Sequence, residues 1–336
     1  MNKAKKFMNN PRDVVPEMLE GLVAASGRTL RKLDQHHAVV RSSIPAGKVG
    51  LLIGGGSGHE PMFAGFVGEN LADAAACGNV FAAPDPETIL AATREVSQGK
   101  GVLYVYGNYA GDNMNFDIAA EIAEGEGIPI KTVRVWDDIA IADVEERRGI
   151  AGDLCVIKIA GAAAADENIT LDDLYSITAQ ARDNTRSLAV ATKPGSTPET
   201  GEPTFELPDD ELEIGMGAHG EPGVSREKMQ SADQITEKMV AQIVEDLPFK
   251  KGDDVALVIN NLGSTTMMEL WIVNRAVNRE LSQRGINIHD TRIGSFITTQ
   301  EMGGFSITLT RLDDTLRRYY DAPCSAFGFT STGGSS

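Results

Sequence analysis

The chain has 336 residues, of which 42% are hydrophobic and 24% charged, and its formal net charge is −17 at pH 7. This acidic balance excludes a nucleic-acid surface built on clustered Lys and Arg, and it favours a neutral substrate over an anionic one. Because no apolar stretch approaches the roughly 18–20 residues that cross a bilayer and the three cysteines are widely spaced, we expect a cytoplasmic protein with reduced thiols.

The first half of the chain predicts alternating helices and strands. Apolar spacing and turn residues place helices at 12–25, 85–97, 116–127 and 171–184, and strands at 48–53, 102–106, 129–135 and 187–192. Asp85 and Pro86 supply an N-cap and a first-turn proline for the second of these helices. This alternation is typical of a parallel sheet covered by helices, in which ligands bind at the carboxyl ends of the strands.

The second half begins after a polar segment, 193–211, that contains four prolines and predicts a domain boundary. Beyond it we expect strands at 211–217, 254–263, 286–299 and 304–312, and helices at 231–247 and 267–281. Strands so close in sequence favour a mixed or antiparallel sheet. The predicted fold class is therefore α/β, with two α/β domains at residues 1–190 and 191–330 and a flexible tail at 331–336.

A glycine-rich loop, GGGSGHEP at 54–61, follows the first predicted strand. Backbone amides in such a loop can bind phosphate. The loop matches neither GxGxxG nor GxxxxGK[ST], however, so we do not expect this chain to bind a nucleotide. A tight turn would explain the glycines, but it leaves the placement of His59 beside Glu60 and Pro61 unexplained.

A second loop, GNYAGDN at 107–113, follows the strand at 102–106. Taken alone, Asp112 is best interpreted as a helix N-cap. A carboxylate at the carboxyl end of a strand can also accept a hydrogen bond from a substrate hydroxyl.

A third motif, IGMGAHGEPG at 214–223, surrounds His219 with glycines. The simplest interpretation is a histidine in a flexible turn. The alternative is that the glycines leave the ring room to meet a ligand, since a neutral imidazole nitrogen is a nucleophile that forms covalent intermediates.

An acidic segment, 137–152, contains Asp137, Asp138 and Asp143. These carboxylates could suggest a divalent cation, but an exposed acidic loop is the favoured interpretation. CxxC, HExxH and EF-hand patterns are absent from the sequence, so we expect no metal site made by this chain alone.

These motifs, in this order, resemble the substrate-binding K subunit of the dihydroxyacetone kinase family. RRGIAG, AGAAAA, NNLG and GFSITL add to the resemblance, which runs from about residue 7 to about residue 323. It implies two α/β domains and, usually, a homodimer. It further implies that His219 captures the ketone carbon of a short ketose as a covalent hemiaminal.

The resemblance also implies roles for the residues of the first two loops. His59 matches a general base for the terminal hydroxyl, and Asp112 matches a carboxylate that orients a substrate hydroxyl. The loop that contacts substrate through its backbone matches Gly56, Ser57 and Gly58.

The resemblance places the phosphoryl donor outside this chain. In the family, a separate helical L subunit or domain holds ADP or ATP with Mg²⁺ through aspartates. Some L subunits exchange nucleotide freely, and others keep ADP and are rephosphorylated by phosphotransferase-system proteins. The sequence does not separate these two kinds.

One position departs from the family pattern. Many dihydroxyacetone-specific members carry a lysine just before NYxGD, and this chain has Gly107 there. The change removes a cation and opens volume, so a four- or five-carbon ketose such as erythrulose or apulose is at least as good a substrate hypothesis as dihydroxyacetone. A side chain that fills the space beside Gly107 would count against the longer sugars.

Two other functions compete with the kinase subunit. Some members of the family bind the ketone only as transcriptional sensors or coactivators; the retention of His59, Asp112 and His219 together favours the enzyme. An NAD-dependent oxidoreductase on a Rossmann-like sheet is disfavoured because GxGxxG is missing.

Overall fold

The computed structural model describes residues 4–333, which form two large sheets and one small sheet with helices packed between and around them. The strands are β1 (Leu30–Lys32), β2 (Ala38–Arg41), β3 (Gly50–Ser57), β4 (Gly68–Glu69), β5 (Ala74–Val80), β6 (Val102–Gly107), β7 (Ile130–Val135), β8 (Thr185–Lys193), β9 (Glu211–Ile214), β10 (Ser225–Lys228), β11 (Asp254–Asn261), β12 (Asn287–Gly294), β13 (Gly303–Leu312), β14 (Cys324–Ala326) and β15 (Thr330–Ser331).

Eight α-helices connect the strands of residues 4–333. They are α1 (Val14–Ala25), α2 (Pro86–Val96), α3 (Ala110–Gly125), α4 (Asp153–Ala164), α5 (Leu171–Asp183), α6 (Ala232–Asp246), α7 (Met267–Arg284) and α8 (Asp314–Tyr320). No helix of this part of the chain is both long enough and apolar enough to cross a membrane.

The first sheet has the order β1-β2-β5-β3-β6-β7; β5, β3, β6 and β7 are parallel, and β2 is antiparallel to both of its neighbours, β1 and β5. Side chains of β3 alternate between two layers, as expected for a strand buried on both faces. Leu51 and Ile53 pack with α1 and α4, whereas Leu52 packs with α2 and α3. The prediction of a mainly parallel, helix-covered sheet is confirmed.

The second sheet has the order β10-β9-β8-β13-β11-β12 and is mixed, because β11 pairs parallel with β12 and antiparallel with β13. Leu257 and Ile259 of β11 face α6 and α7. Ala256 and Val258 of the same strand face the core that contains α4 and α8. The core that contains α4 and α8 also includes residues of the first sheet, so both sheets pack against a shared layer of helices.

The prediction for the strand at 187–192 was wrong about the sheet to which it belongs. This strand was expected to close the first sheet, but it forms part of β8, an internal strand of the second sheet that pairs antiparallel with β13. The partner is more than one hundred residues away in sequence, so local periodicity could not reveal it. The domain limits at 190 and 191 stay a prediction.

Two local expectations were wrong as well. Asp137 and Asp138 are fully buried instead of lying in an exposed loop: Asp137 accepts backbone bonds from Ile150 and Gly152, and Asp138 pairs with Arg148. At the C-terminus, the predicted tail overlaps β15, which pairs with β14, while residues 334–336 lie outside the described residues.

Candidate functional site

A small cavity lies at the carboxyl ends of β3 and β6, where a loop of the second sheet closes over the first. Its water-accessible volume is about 30 Å³, which is too small for a nucleotide. The cavity is lined by Gly54, Gly55, Gly56, His59, Phe63, Gly107, Tyr109, Asp112, Gly149, Asp153, Ala218, His219 and Ile297.

Gly56, near the carboxyl end of β3, and His59, in the turn that follows, both line the cavity; β3 extends to Ser57, so half of the predicted loop 54–61 is strand. A Cβ on Gly56 would lie 2.9 Å from the backbone nitrogen of Ala82, so this position needs glycine. Ser57 and Gly58 do not line the cavity. The Ser57 hydroxyl donates to the Gly78 carbonyl at 2.7 Å, and the Gly58 amide donates to the Glu60 carboxylate.

His59 is 5% exposed, and its Nδ1 lies 2.7 Å from the carbonyl oxygen of Thr298. A carbonyl oxygen only accepts, so Nδ1 must carry the proton and, in the neutral ring, Nε2 holds a lone pair. Burial, with the neighbouring His219, lowers the pKa of His59 to about 4. The ring is therefore neutral at pH 7.

His219 is fixed by the glutamate of its own motif. Its Nδ1 lies 3.0 Å from Oε1 of Glu221, and its backbone amide donates to Oε2 of the same carboxylate at 2.9 Å. Burial would raise the pKa of Glu221, but the hydrogen bond and charge of His219 outweigh it and lower the pKa to about 2. An ionised carboxylate only accepts, so Nδ1 is protonated and the lone pair of neutral His219 is on Nε2.

The glycines around His219 make room for this arrangement. A Cβ on Gly217 would lie 2.2 Å from Oε2 of Glu221 and 2.5 Å from Nη1 of Arg148. Arg148 in turn donates to the carbonyl of Gly215. The motif is therefore a fixed turn built around the carboxylate, not a flexible loop.

Four rings meet at the cavity. The centroids of His59 and His219 are 4.9 Å apart, and Tyr109 lies 4.9 Å from His219. Phe81 packs against both histidines, at 5.2 Å from His59 and 5.6 Å from His219. These contacts restrain both imidazole rings.

Asp112 lies in the first turn of α3 and is not its N-cap, which is Tyr109. The helix begins at Ala110, earlier than the sequence indicated, so the GNYAGDN loop is largely helical. Oδ1 of Asp112 is buried without a hydrogen-bond partner among residues 4–333. Burial raises the pKa of this carboxyl to about 6, although the charge of His219 opposes the shift.

The space beside Gly107 is not empty. A Cβ there would lie 3.3 Å from the Tyr109 ring and 3.4 Å from Oδ2 of Asp153. These two side chains occupy part of the volume that a lysine-to-glycine change opens. This weakens the volume argument for a four- or five-carbon ketose, most of all for the larger five-carbon sugars.

Residues 298–300, in the connection between β12 and β13, are hydrogen-bonded to both histidine loops. Thr298 bonds to His59 through both backbone groups, and the Thr299 hydroxyl donates to the Ala218 carbonyl at 2.5 Å. The Gln300 amide donates to the carbonyl of Gly58. Loops from both sheets therefore form one site.

Sequence reasoning missed several residues of this site. Glu221 stands inside a quoted motif, but only its distance to His219 shows its role. Asp153 and Phe81 carry no motif signal: Asp153 reaches the cavity wall through the packing of α4, and Phe81, just after β5, packs against both histidine rings. In the described part of the chain, no group of three or more His, Cys, Asp or Glu side chains is arranged to hold a metal ion.

The Dak1 domain model matches residues 20–328. The dihydroxyacetone-binding subunit DhaK of PTS-dependent dihydroxyacetone kinase 2 from Listeria innocua is 42% identical over 323 residues, covering 95% of this chain and 97% of that protein. L-erythrulose kinase of Pectobacterium atrosepticum is 38% identical, covering 96% of this chain but only 56% of its own length.

Solved structures agree with these relatives. Dihydroxyacetone kinase of C. freundii, in complex with AMP-PNP and Mg²⁺, superposes with a TM-score of 0.91 at 32% identity, over 98% of this chain and 61% of that one. The dihydroxyacetone kinase operon co-activator DhaQ gives 0.88 at 32% identity, over 93% of this chain and 98% of its own. The two-domain α/β fold is confirmed.

Proposed function

The chain belongs to the Dak1 family, and from that premise we propose that it is the substrate-binding subunit of a two-component ketose kinase. It captures a short ketose on His219 and presents the terminal hydroxyl to a separate nucleotide-loaded subunit. The observation that carries the proposal is the pairing of both Nδ1 atoms with acceptors, His59 with Thr298 and His219 with Glu221. This pairing leaves two Nε2 lone pairs in one cavity.

Capture begins when Nε2 of His219 attacks the ketone carbon. The carbon–nitrogen bond forms, the π pair of the carbonyl moves to oxygen, and that oxygen takes a proton. The ring acquires positive charge that the Glu221 carboxylate offsets, and loss of the Nδ1 proton gives the neutral hemiaminal. Glycerol has no carbonyl, so this step rejects it chemically.

Transfer then needs a proton acceptor for the terminal hydroxyl. Neutral His59 supplies Nε2 for this purpose, and general-base help of this kind is typically worth about 10²–10⁴-fold. Asp112 accepts a hydrogen bond from another hydroxyl and fixes its orientation. Phosphoryl transfer otherwise depends mainly on positioning and charge neutralisation.

The donor belongs to a partner. The small cavity supports an arrangement in which ATP or ADP with Mg²⁺ sits on an L subunit. In that arrangement, phosphotransferase-system proteins would act on the L subunit and not on this chain. We propose a homodimer for this chain, as in the family. The partner docks where the terminal hydroxyl faces it.

The substrate is a three- or four-carbon ketose. The names of the Listeria and Pectobacterium relatives support dihydroxyacetone and erythrulose respectively. The side chains beside Gly107 make a branched pentulose such as apulose a poorer fit.

The proposal is tested by native mass spectrometry of the protein mixed in turn with dihydroxyacetone, erythrulose and apulose. We expect a mass gain equal to the ketose, absent in His219→Ala. No gain with any ketose would refute covalent capture by this chain.

A second function is a ketose-binding sensor, favoured by the similarity to the co-activator DhaQ over nearly its whole length. A sensor needs His219 but no base, so the oriented Nε2 of His59 favours the kinase. Phosphorylated ketose formed with an added L subunit would support the kinase. Adduct formation without any transfer, together with capture of a DNA-binding partner, would support the sensor.

A further inference from the structure

Asp153 is a buried carboxyl group at the first position of α4 that reaches the cavity wall. It is 1% exposed, and its Oδ1 has no hydrogen-bond partner among residues 4–333. Buried polar groups are normally hydrogen-bonded, so an unpaired buried carboxyl oxygen either binds a ligand or destabilises the folded protein. Of the other buried acids of this region, Asp137 and Asp138 are paired within the protein, whereas Oδ1 of Asp112 is unpaired among residues 4–333, as is that of Asp153.

Gly107 lines the cavity beside Asp153 and has no side chain that would cover the carboxyl. A Cβ at this position would lie 3.4 Å from Oδ2 of Asp153. The absent side chain of Gly107 therefore leaves a gap, and the carboxyl group of Asp153 lies at its end. We call these two residues the Gly107–Asp153 subsite.

The charges around this subsite favour a ligand group that donates a hydrogen bond. Burial, together with the charges of Asp137 and Asp112, raises the pKa of Asp153 well above its ordinary value. A neutral carboxylic acid both donates and accepts, which suits a hydroxyl group, and the surrounding acids disfavour an anionic group.

We propose that Asp153 is a specificity residue that binds the additional hydroxyl of a four-carbon ketose. The inference rests on the proposed function, in which His59 and Asp112 already engage the two hydroxyls of dihydroxyacetone. The hydroxyl formed at the captured carbon is common to every adduct and does not discriminate. The additional hydroxyl on the carbon chain of erythrulose distinguishes it from dihydroxyacetone, and the Gly107–Asp153 subsite binds this hydroxyl.

The test measures, by native mass spectrometry of the full chain, the ketose concentration that gives half-maximal adduct. Dihydroxyacetone and each enantiomer of erythrulose are compared. We expect Asp153→Ala to raise this concentration about tenfold or more for the preferred erythrulose, which corresponds to one lost hydrogen bond, and no more than about threefold for dihydroxyacetone. Asp153→Asn, which keeps an acceptor and a donor, should recover part of the loss.

A second variant keeps the test independent of the folding of Asp153→Ala. Gly107→Ala retains the acid and narrows the gap by one methyl group, so it should also weaken erythrulose capture more than dihydroxyacetone capture. Glu121→Gln, on the exposed surface of α3, is the control and should change neither value.

The outcomes distinguish failure of the specificity role of Asp153 from failure of covalent capture. Equal losses for both ketoses in Asp153→Ala and Gly107→Ala would overturn the specificity role while leaving covalent capture intact. Absence of any adduct in the unmodified protein would instead overturn the proposed function.

Discussion

Nδ1 of His219 lies 3.0 Å from Oε1 of Glu221, a residue only two positions further along the chain. The same carboxylate also accepts the backbone amide of His219, so one side chain fixes the ring, its tautomer and its turn. Glu221, a residue of the same motif, thereby fixes the orientation of the nucleophile His219.

Replacing Glu221 with glutamine should weaken capture. Glutamine keeps the shape but loses the charge that offsets the developing imidazolium, and hydrogen bonds to charged groups are worth about 1.5–3 kcal/mol. Adduct formation should therefore weaken by about 10- to 100-fold in a mass-spectrometric titration with dihydroxyacetone. Glu199→Gln, at an exposed position, should titrate like the unmodified protein. Unchanged titration of Glu221→Gln would remove Glu221 from the mechanism.

Replacing His59 with asparagine should separate capture from transfer. The asparagine amide can still donate to the Thr298 carbonyl, but no basic nitrogen faces the cavity. With an L subunit supplied, phosphorylated ketose should form about 10²–10⁴-fold more slowly, while the covalent adduct persists. If the adduct disappears and the variant is still folded by circular dichroism, His59 acts in capture and not as the base.

Replacing Asp112 with asparagine should stabilise the protein in a pH-dependent way. The folded-state pKa of about 6 lies above the ordinary aspartate value of 3.8, so ionising Asp112 opposes folding as pH rises through this window. At pH 7.5 the variant should be more stable by about 1–3 kcal/mol, and the difference should vanish below about pH 3, where the carboxyl is protonated in both states. Urea unfolding at the two pH values measures this, and a gain that is the same at both pH values would contradict the titration account.

Replacing Gly217 with alanine should disable the site without unfolding the protein. The added carbon would lie 2.2 Å from Oε2 of Glu221 and 2.5 Å from Nη1 of Arg148, so these side-chain ends must move, and the contact of Glu221 with His219 is disturbed. The adduct should be lost, while the rest of the fold keeps its melting temperature within a few degrees. Gly125→Ala, at the end of α3 with no atom within 4 Å of the new carbon, is the matched control and should retain the adduct. Retained capture in Gly217→Ala would contradict the role of a fixed turn.

Local patterns predicted the elements that reach the site, because helices and buried strands carry their periodicity in sequence. The rule that ligands bind at the carboxyl ends of parallel strands brought His59 and Asp112 together correctly. It could not supply partners that are distant in sequence: β8 was assigned to the wrong sheet, since its neighbour β13 lies beyond residue 300. Asp153 escaped notice for the same reason, since only the packing of α4 against β6 brings it beside Gly107.

Covalent capture by His219 is tested most directly by carbon-13 NMR of dihydroxyacetone labelled at its ketone carbon, mixed with protein that carries nitrogen-15 histidine. We predict that the ketone signal of the bound fraction is replaced by a tetrahedral carbon signal coupled to one imidazole nitrogen, and that this coupling is absent in His219→Ala. A bound ligand that keeps its ketone signal, or a tetrahedral carbon without nitrogen coupling, would contradict the account.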